Sequence, residues 1–180
     1  MLNLQKRING VDNDREYLQK RVAIRDKLLS QEIAELKGRV NDLKTCRLEF
    51  PNLSQLHEFY LLIAPTTGYY RGGVFKFHVT VPPEYNNAPP VVKCLTRVFH
   101  PNITEEGAIC LSILRQNTLD GFGWMPTRRL TDVLHGLNSL FTELIDFEDP
   151  LNVEAAKLYA SSKDSFEHRV RDYVNQYARS

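Results

Sequence analysis

The sequence has no apolar run approaching the ~20 residues that a bilayer-spanning helix needs. Residues Met1 to Tyr17 alternate apolar and charged side chains, without the unbroken apolar core of a signal peptide. Neither a helical membrane span nor a secretory leader is therefore expected. Neither sign of charge dominates: 23 basic residues face 22 acidic ones, a formal net charge of +1. Nucleic acid and anionic membrane surfaces, which call for a clear basic surplus, are not expected as main partners. Cysteine is scarce. Cys46, Cys94 and Cys110 are an odd set without a CxxC pair, which argues against a disulfide framework and for a reducing compartment such as cytoplasm or nucleus. Cys94, His100 and Cys110 also lack the paired spacing of a zinc site, so no metal is expected. There is no internal repeat and no low-complexity tract.

What remains is an ordinary soluble composition, with 42% hydrophobic and 25% charged residues in 180, suited to one domain with appendages. Residues Met1 to about Lys20 carry only isolated apolar side chains, too few to offset the entropy of ordering, and read as a mobile tail. Ile24, Leu28, Leu29, Ile33 and Leu36 recur at helical spacing and predict a helix that Gly38 stops. Four strand patterns follow: Cys46–Phe50, Phe59–Ile63, Phe75–Val81 and Val91–Leu95. The third is the clearest, with Phe75, Phe77, Val79 and Val81 alternating with Lys76, His78 and Thr80. Turn-rich segments between them predict an antiparallel meander. Thr96 to Pro126 shows no sustained period, and an irregular segment of that length in a compact domain is usually functional or disordered. A helix from about Arg128 to Asp146 is predicted from the stripe Leu130, Val133, Leu134, Leu137, Leu140, Phe141, Leu144 and Ile145, with Thr127 as N-cap and Pro150 as breaker. Two further helices are expected near Val153–Ala160 and Ser165–Tyr177. The order predicts an α+β fold with helices segregated from an antiparallel sheet.

The irregular segment holds His100-Pro101-Asn102, with Cys110 eight residues beyond the asparagine and Gly107 between them. This motif resembles the active site of the ubiquitin-conjugating enzyme family. The resemblance extends to Pro82-Pro83-Glu84-Tyr85 leading into Pro89-Pro90, to Trp124-Met125-Pro126 before the long helix, and to Asp149-Pro150-Leu151-Asn152 after it. It covers roughly Val22 to the C-terminus and implies the ubiquitin-conjugating fold: an N-terminal helix, a four-stranded meander sheet and three C-terminal helices.

A lone cysteine is more often an inert core thiol; the surrounding motif is what assigns Cys110 the role of thioester carrier, a role that suits a thiol because its acyl ester is reactive toward amines. Cys46 and Cys94 lie within strand patterns and read as core. Asn102 carries two readings. Its amide can donate to the oxyanion formed when a lysine attacks the thioester, or it can pin the loop through backbone hydrogen bonds. For His100, with Pro101 beside it, the resemblance implies a structural role. For Asp149 it implies the acidic residue at the active-site gate, where a carboxylate orients the incoming lysine; the bland reading is a turn acid beside Pro150. Ser112 departs from the Asp or Asn that many family members carry two residues after the cysteine, which removes any charge-based role there.

Arg21-Val22-Ala23-Ile24-Arg25-Asp26-Lys27-Leu28-Leu29, Leu137-Asn138-Ser139-Leu140-Phe141-Thr142 and an insertion from Gln116 to Gly123 resemble the second, metazoan-type neddylation branch of that family. The implied partners are the ubiquitin-like neddylation modifier, its heterodimeric activating enzyme, a RING-type ligase with a co-ligase, and cullin substrates. No cofactor is implied on this chain, since ATP is used by the activating enzyme. The branch implies that residues 1–21 form a flexible extension docking on the activating enzyme through Leu2, Leu4 and Ile8, ahead of a catalytic core over 22–180. Met1-Leu2, if acetylated, would fill a co-ligase pocket. Lys20, Arg21, Arg25 and Lys27 read either as a patch steering the activating enzyme or as a solvated face. Two alternatives stay open: the same mechanism with ubiquitin as modifier, and a non-catalytic conjugating-enzyme-like binding module.

Overall fold

The computed structural model describes residues 2–116, 118, 119, 121–142 and 145–179, with side chains described from residue 10 onward. Its first element, α1, runs from Leu2 to Leu43, far longer than the expected Ile24–Leu36 helix. Residues 10–20 are exposed along their whole length. Burial begins only after residue 21, where Arg25, Leu29, Glu32, Ile33, Leu36 and Val40 repeat every three or four positions. The side chains of Leu2, Leu4 and Ile8 lie outside those described. Gly38 does not end the helix. A Cβ there would meet nothing within 4 Å, and the stop is Lys44, in the left-handed region at φ 58°, whose N–H reaches the Val40 carbonyl at 3.3 Å.

Four strands follow, β1 (Cys46–Glu49), β2 (Glu58–Ile63), β3 (Phe75–Thr80) and β4 (Val91–Cys94). They pair antiparallel in sequence order, with Leu61 opposite Phe77 and Phe77 opposite Cys94. Strict alternation in β3 puts Phe75, Phe77 and Val79 in the core and turns Lys76 and His78 outward. There Lys76 lies 4.2 Å over the Tyr60 ring and 3.1 Å from Glu49.

After a single 3-10 turn at Ser112–Leu114 come α2 (Leu130–Ser139), α3 (Val153–Ser161) and α4 (Lys163–Tyr177). The Asn152 side chain caps α3 at 3.1 Å, and Ser162 caps α4 at 3.2 Å. The α2 helix is shorter than predicted at both ends. It begins at Leu130, where Asp132 Oδ2 accepts the Arg129 N–H at 2.8 Å, so Thr127 is not its cap. Past Ser139 the chain tightens into turns, with Phe141 N–H bonded to Asn138 and Thr142 N–H to Ser139. Leu144, counted in the predicted stripe, lies outside the described residues. Phe141 still reaches the core and stacks on Phe75 at 4.4 Å.

A buried polar seam joins α1 to the loops around the site. Glu32, 5% exposed, accepts the Tyr85 hydroxyl at 2.7 Å and the Leu130 N–H at the start of α2 at 2.9 Å. Burial and this carboxylate push the Tyr85 phenol far above its usual range. Arg25 donates to the Val81 carbonyl at 3.2 Å, and Arg21 to the carbonyls of Glu84 and Tyr85 at 3.1 and 2.9 Å. The loop they hold is in turn tied to the turn before α2: Trp124 Nε1 donates to Asn86 O at 2.8 Å and Asn86 Nδ2 to Pro126 O at 2.7 Å.

Candidate active site

Between β4 and α2 the backbone folds back on itself locally. Thr104 to Ala108 forms a tight turn in which the Ala108 carbonyl accepts the Thr104 N–H at 2.9 Å, and Thr104 Oγ1 accepts the Ala108 N–H at 3.0 Å. Gly107 makes the turn possible. Its φ is +90°, and a Cβ would run into the Cys94 carbonyl of β4. Gly107 O also accepts the Cys94 N–H at 3.0 Å, so the turn is stitched to the sheet edge. Past the turn, Ile109 bridges Ile103 and Cys110 N–H donates to Asn102 O at 2.8 Å. The eight-residue spacing read from the sequence is thus the length of a small hairpin that returns Cys110 to the His-Pro-Asn segment.

His100 is fully buried, stacked on Tyr70 at 5.0 Å. Its Nε2 lies 2.6 Å from the Leu140 carbonyl, which only accepts, and its Nδ1 is 2.9 Å from the Asn102 N–H, which only donates. Those two partners fix the neutral tautomer with the proton on Nε2. Burial pulls the ring down to about 4 from its ordinary value, and the Leu140 bond opposes that only in part. His100 is therefore held as a neutral ring between two backbone groups. Its Leu140 partner is the residue that follows the last turn of α2.

Asn102, 2% exposed, is turned toward the segment after α2. Its Nδ2 donates to Asp146 O and its Oδ1 accepts the Asp146 N–H, both at 2.9 Å. Of the two roles open for this side chain, the geometry displays the loop-pinning one. Asp146 carries the pattern onward: its Oδ1 accepts the N–H groups of Glu148 at 2.8 Å and Asp149 at 3.3 Å. Asn152 N–H then closes onto Pro101 O at 2.9 Å. Asp149 is thereby held, exposed, on a short arc whose two ends are both anchored to the His-Pro-Asn segment.

The three cysteines are free and unlike one another. Burial pushes the Cys94 thiol up to about 12 and raises that of Cys46, which leaves both poor nucleophiles. Cys110 is half-buried, and Arg115 Nη2 donates to its Sγ at 3.0 Å. Sequence reasoning did not single out Arg115. Nothing in the local pattern signals that the 3-10 turn brings it back onto the thiol. It also missed Glu32, although an acid at helical spacing from Leu29 and Leu36 is a legible sign of a buried polar partner. Of the four basic residues read as a steering patch or a solvated face, Arg25 is a correction. It is 6% exposed, bonded to Val81 and paired with Asp26 at 2.9 Å, so its charge belongs to the fold.

The half-buried thiol, its hairpin and the acidic arc are thus all anchored to the same His-Pro-Asn segment. Residues 28–174 match the family model of the ubiquitin-conjugating enzyme, and the chain belongs to that family. Among its relatives, it is 59% identical over 179 residues to the NEDD8-conjugating enzyme ubc-12 of Caenorhabditis elegans, covering 98% of this chain and 99% of the relative. It is 54% identical over 160 residues to the NEDD8-conjugating enzyme UBE2F of Gallus gallus and to that of Homo sapiens, each match covering 89% of this chain and 85% of the relative. No helix among the described residues is long and apolar enough to cross a membrane.

Proposed function

We propose that this chain is a neddylation-conjugating enzyme. It accepts the ubiquitin-like modifier NEDD8 from a heterodimeric activating enzyme as a thioester on Cys110, and passes it to lysines of cullin-type substrates with a RING ligase and co-ligase. The observation that carries this reading is the likeness to relatives named for NEDD8 conjugation, which at 98% of the chain reaches well beyond the residues around the thiol. The site geometry supports the chemistry: burial pushes up the thiols of Cys46 and Cys94, and Cys110 is the cysteine held next to the His-Pro-Asn segment, through its N–H on Asn102 O.

Within this reading the chain divides near residue 21. Residues 1–21 act as the docking extension for the activating enzyme, a role supported by the complete exposure of residues 10–20, with Leu2, Leu4 and Ile8 as its apolar anchors. Residues 22–180 act as the catalytic core. Asn102 holds the acidic arc in place and Asp149 orients the incoming lysine. The cytoplasm and nucleus, where thiols stay reduced, suit its three free cysteines.

The test is charging with purified NEDD8-activating and ubiquitin-activating enzymes in parallel, each with ATP and its own modifier. A thiol-reducible adduct is expected with NEDD8, and none from Cys110→Ser. Removal of residues 1–20 is expected to slow charging without lowering the melting temperature. Preferential charging with ubiquitin, or a reducible adduct on Cys110→Ser, overturns the proposal.

A further inference from the structure

Arg115 lies outside the recognised motifs and touches the reacting atom. The chain leaves Cys110 through Leu111, turns once over Ser112–Leu114 and reaches Arg115, whose N–H is held by Ser112 O at 2.9 Å. On the other side the Arg115 carbonyl accepts the Trp124 N–H at 2.7 Å. Leu111 and Ile113 anchor the turn in the core at 7% and 8% exposure. The backbone that aims this guanidinium is thus fixed before and after it, and Nη2 sits 3.0 Å from Sγ.

The geometry points to Arg115 as a catalytic residue that stabilises sulfur as it leaves, an inference that rests on Cys110 being the thioester carrier. In discharge, the lone pair of a lysine amine forms the C–N bond to the thioester carbonyl carbon. The C–S bond breaks, its electron pair departs on Sγ as thiolate, and the surplus amine proton passes to a base or water. Arg115 keeps its own proton throughout, as guanidinium does at any working pH. A thioester sulfur is neutral and a weak acceptor; a departing thiolate is an anion beside a fixed cation. The contact is therefore stronger in the transition state than in the loaded ground state, the condition for raising a rate rather than only tightening binding. Because Arg115 is solvent-exposed, its contribution is smaller than that of a buried oxyanion donor and amounts to about 10-fold.

The experiment is single-turnover discharge of the purified, loaded protein, which reads only molecules that already carry the modifier. Loaded wild type, Arg115→Gln and Arg115→Lys are each mixed with excess free lysine and, separately, with hydroxylamine. Arg115→Gln is expected to slow both reactions about 10-fold by the same factor, with the half-saturating lysine concentration unchanged, and Arg115→Lys to recover most of the loss. A common factor is the signature of the leaving group, because both nucleophiles expel the same sulfur. Discharge of Arg115→Gln at the wild-type rate overturns the inference, and so does a loss confined to lysine, which would assign Arg115 to nucleophile orientation instead. Thermal melts of the unloaded proteins check that folding is intact, and Arg115→Lys keeps the test decisive if the glutamine variant unfolds. A wild-type chain that never loads strikes at the proposed function instead, so the two failures are distinct.

Discussion

Replacing His100 by glutamine removes a titrating ring from the core while leaving a donor that can reach the Leu140 carbonyl. In the folded protein the ring titrates at about 4 instead of its ordinary 6.5 because it is fully buried. Between those two pH values the unfolded chain binds a proton that the folded chain refuses, so folding is progressively disfavoured as pH falls from 6.5 toward 4. At 1.36 kcal/mol per unit, the ring costs the wild type about 3 kcal/mol across that window. Below pH 4 both states are protonated and the loss stops growing. Glutamine does not titrate. At neutral pH His100→Gln is expected to be less stable by about 1–3 kcal/mol, since the Asn102 N–H loses its acceptor and Tyr70 its stacking partner. That gap should close by about 3 kcal/mol on going to pH 4. Urea unfolding of both proteins at several pH values reads the difference directly, and carboxylate titrations common to both cancel. A gap that stays constant from pH 7 to 4 would refute the reasoning. A second readout needs no variant: the His100 ring resonances of the wild type should not move between pH 8 and 6, where an ordinary histidine titrates.

Two further outcomes follow from the same loops. Ala at Gly107 must hold a φ of +90° and push a Cβ into the Cys94 carbonyl, so Gly107→Ala is expected to cost about 2–4 kcal/mol in a thermal melt; Gly38→Ala, in open space within α1, is expected to stabilise by about 0.5–1 kcal/mol, and equal shifts for the pair would count against this account of the hairpin. Asn102→Ala removes both bonds to the Asp146 backbone and should cost about 1–3 kcal/mol with faster amide exchange at Asp146, measured by hydrogen exchange; unchanged protection at that amide would mean that the arc holds itself.

Much of this architecture was readable in the residues. The alternation of Phe75 to Val81 dictates a strand with one buried face, and β3 has it. The stripe Leu130, Val133, Leu134, Leu137 dictates the core face of α2. What escaped the sequence depends on partners far along the chain. Arg25 and Glu32 sit on the buried side of α1 because a loop carbonyl, a tyrosine hydroxyl and a helix N–H, 53 to 98 positions away, satisfy them; helical periodicity, which counts only apolar side chains, passes over such positions. Just past the end of α2, the Leu140 carbonyl is likewise bonded to a ring 40 residues upstream. At the site, the motif singles out Cys110, His100 and Asn102, which the structure brings together, but not Arg115, which reaches the sulfur only because of a 3-10 turn with no strong sequence signature. The length of α1 was illegible for the opposite reason, since residues 10–20 make no buried contact that a pattern could record.

The arc carrying Asp149 is held through the N–H and carbonyl of Asp146 and the N–H of Asn152, all against the His-Pro-Asn segment. Main-chain atoms are common to every residue except for the N–H that proline lacks. The side chains displayed at Glu148 and Asp149 are therefore interchangeable cargo on a fixed frame. Evolution or design can change the charge displayed there without reshaping the frame, whereas proline at 146 or 152 would dismantle the mount itself.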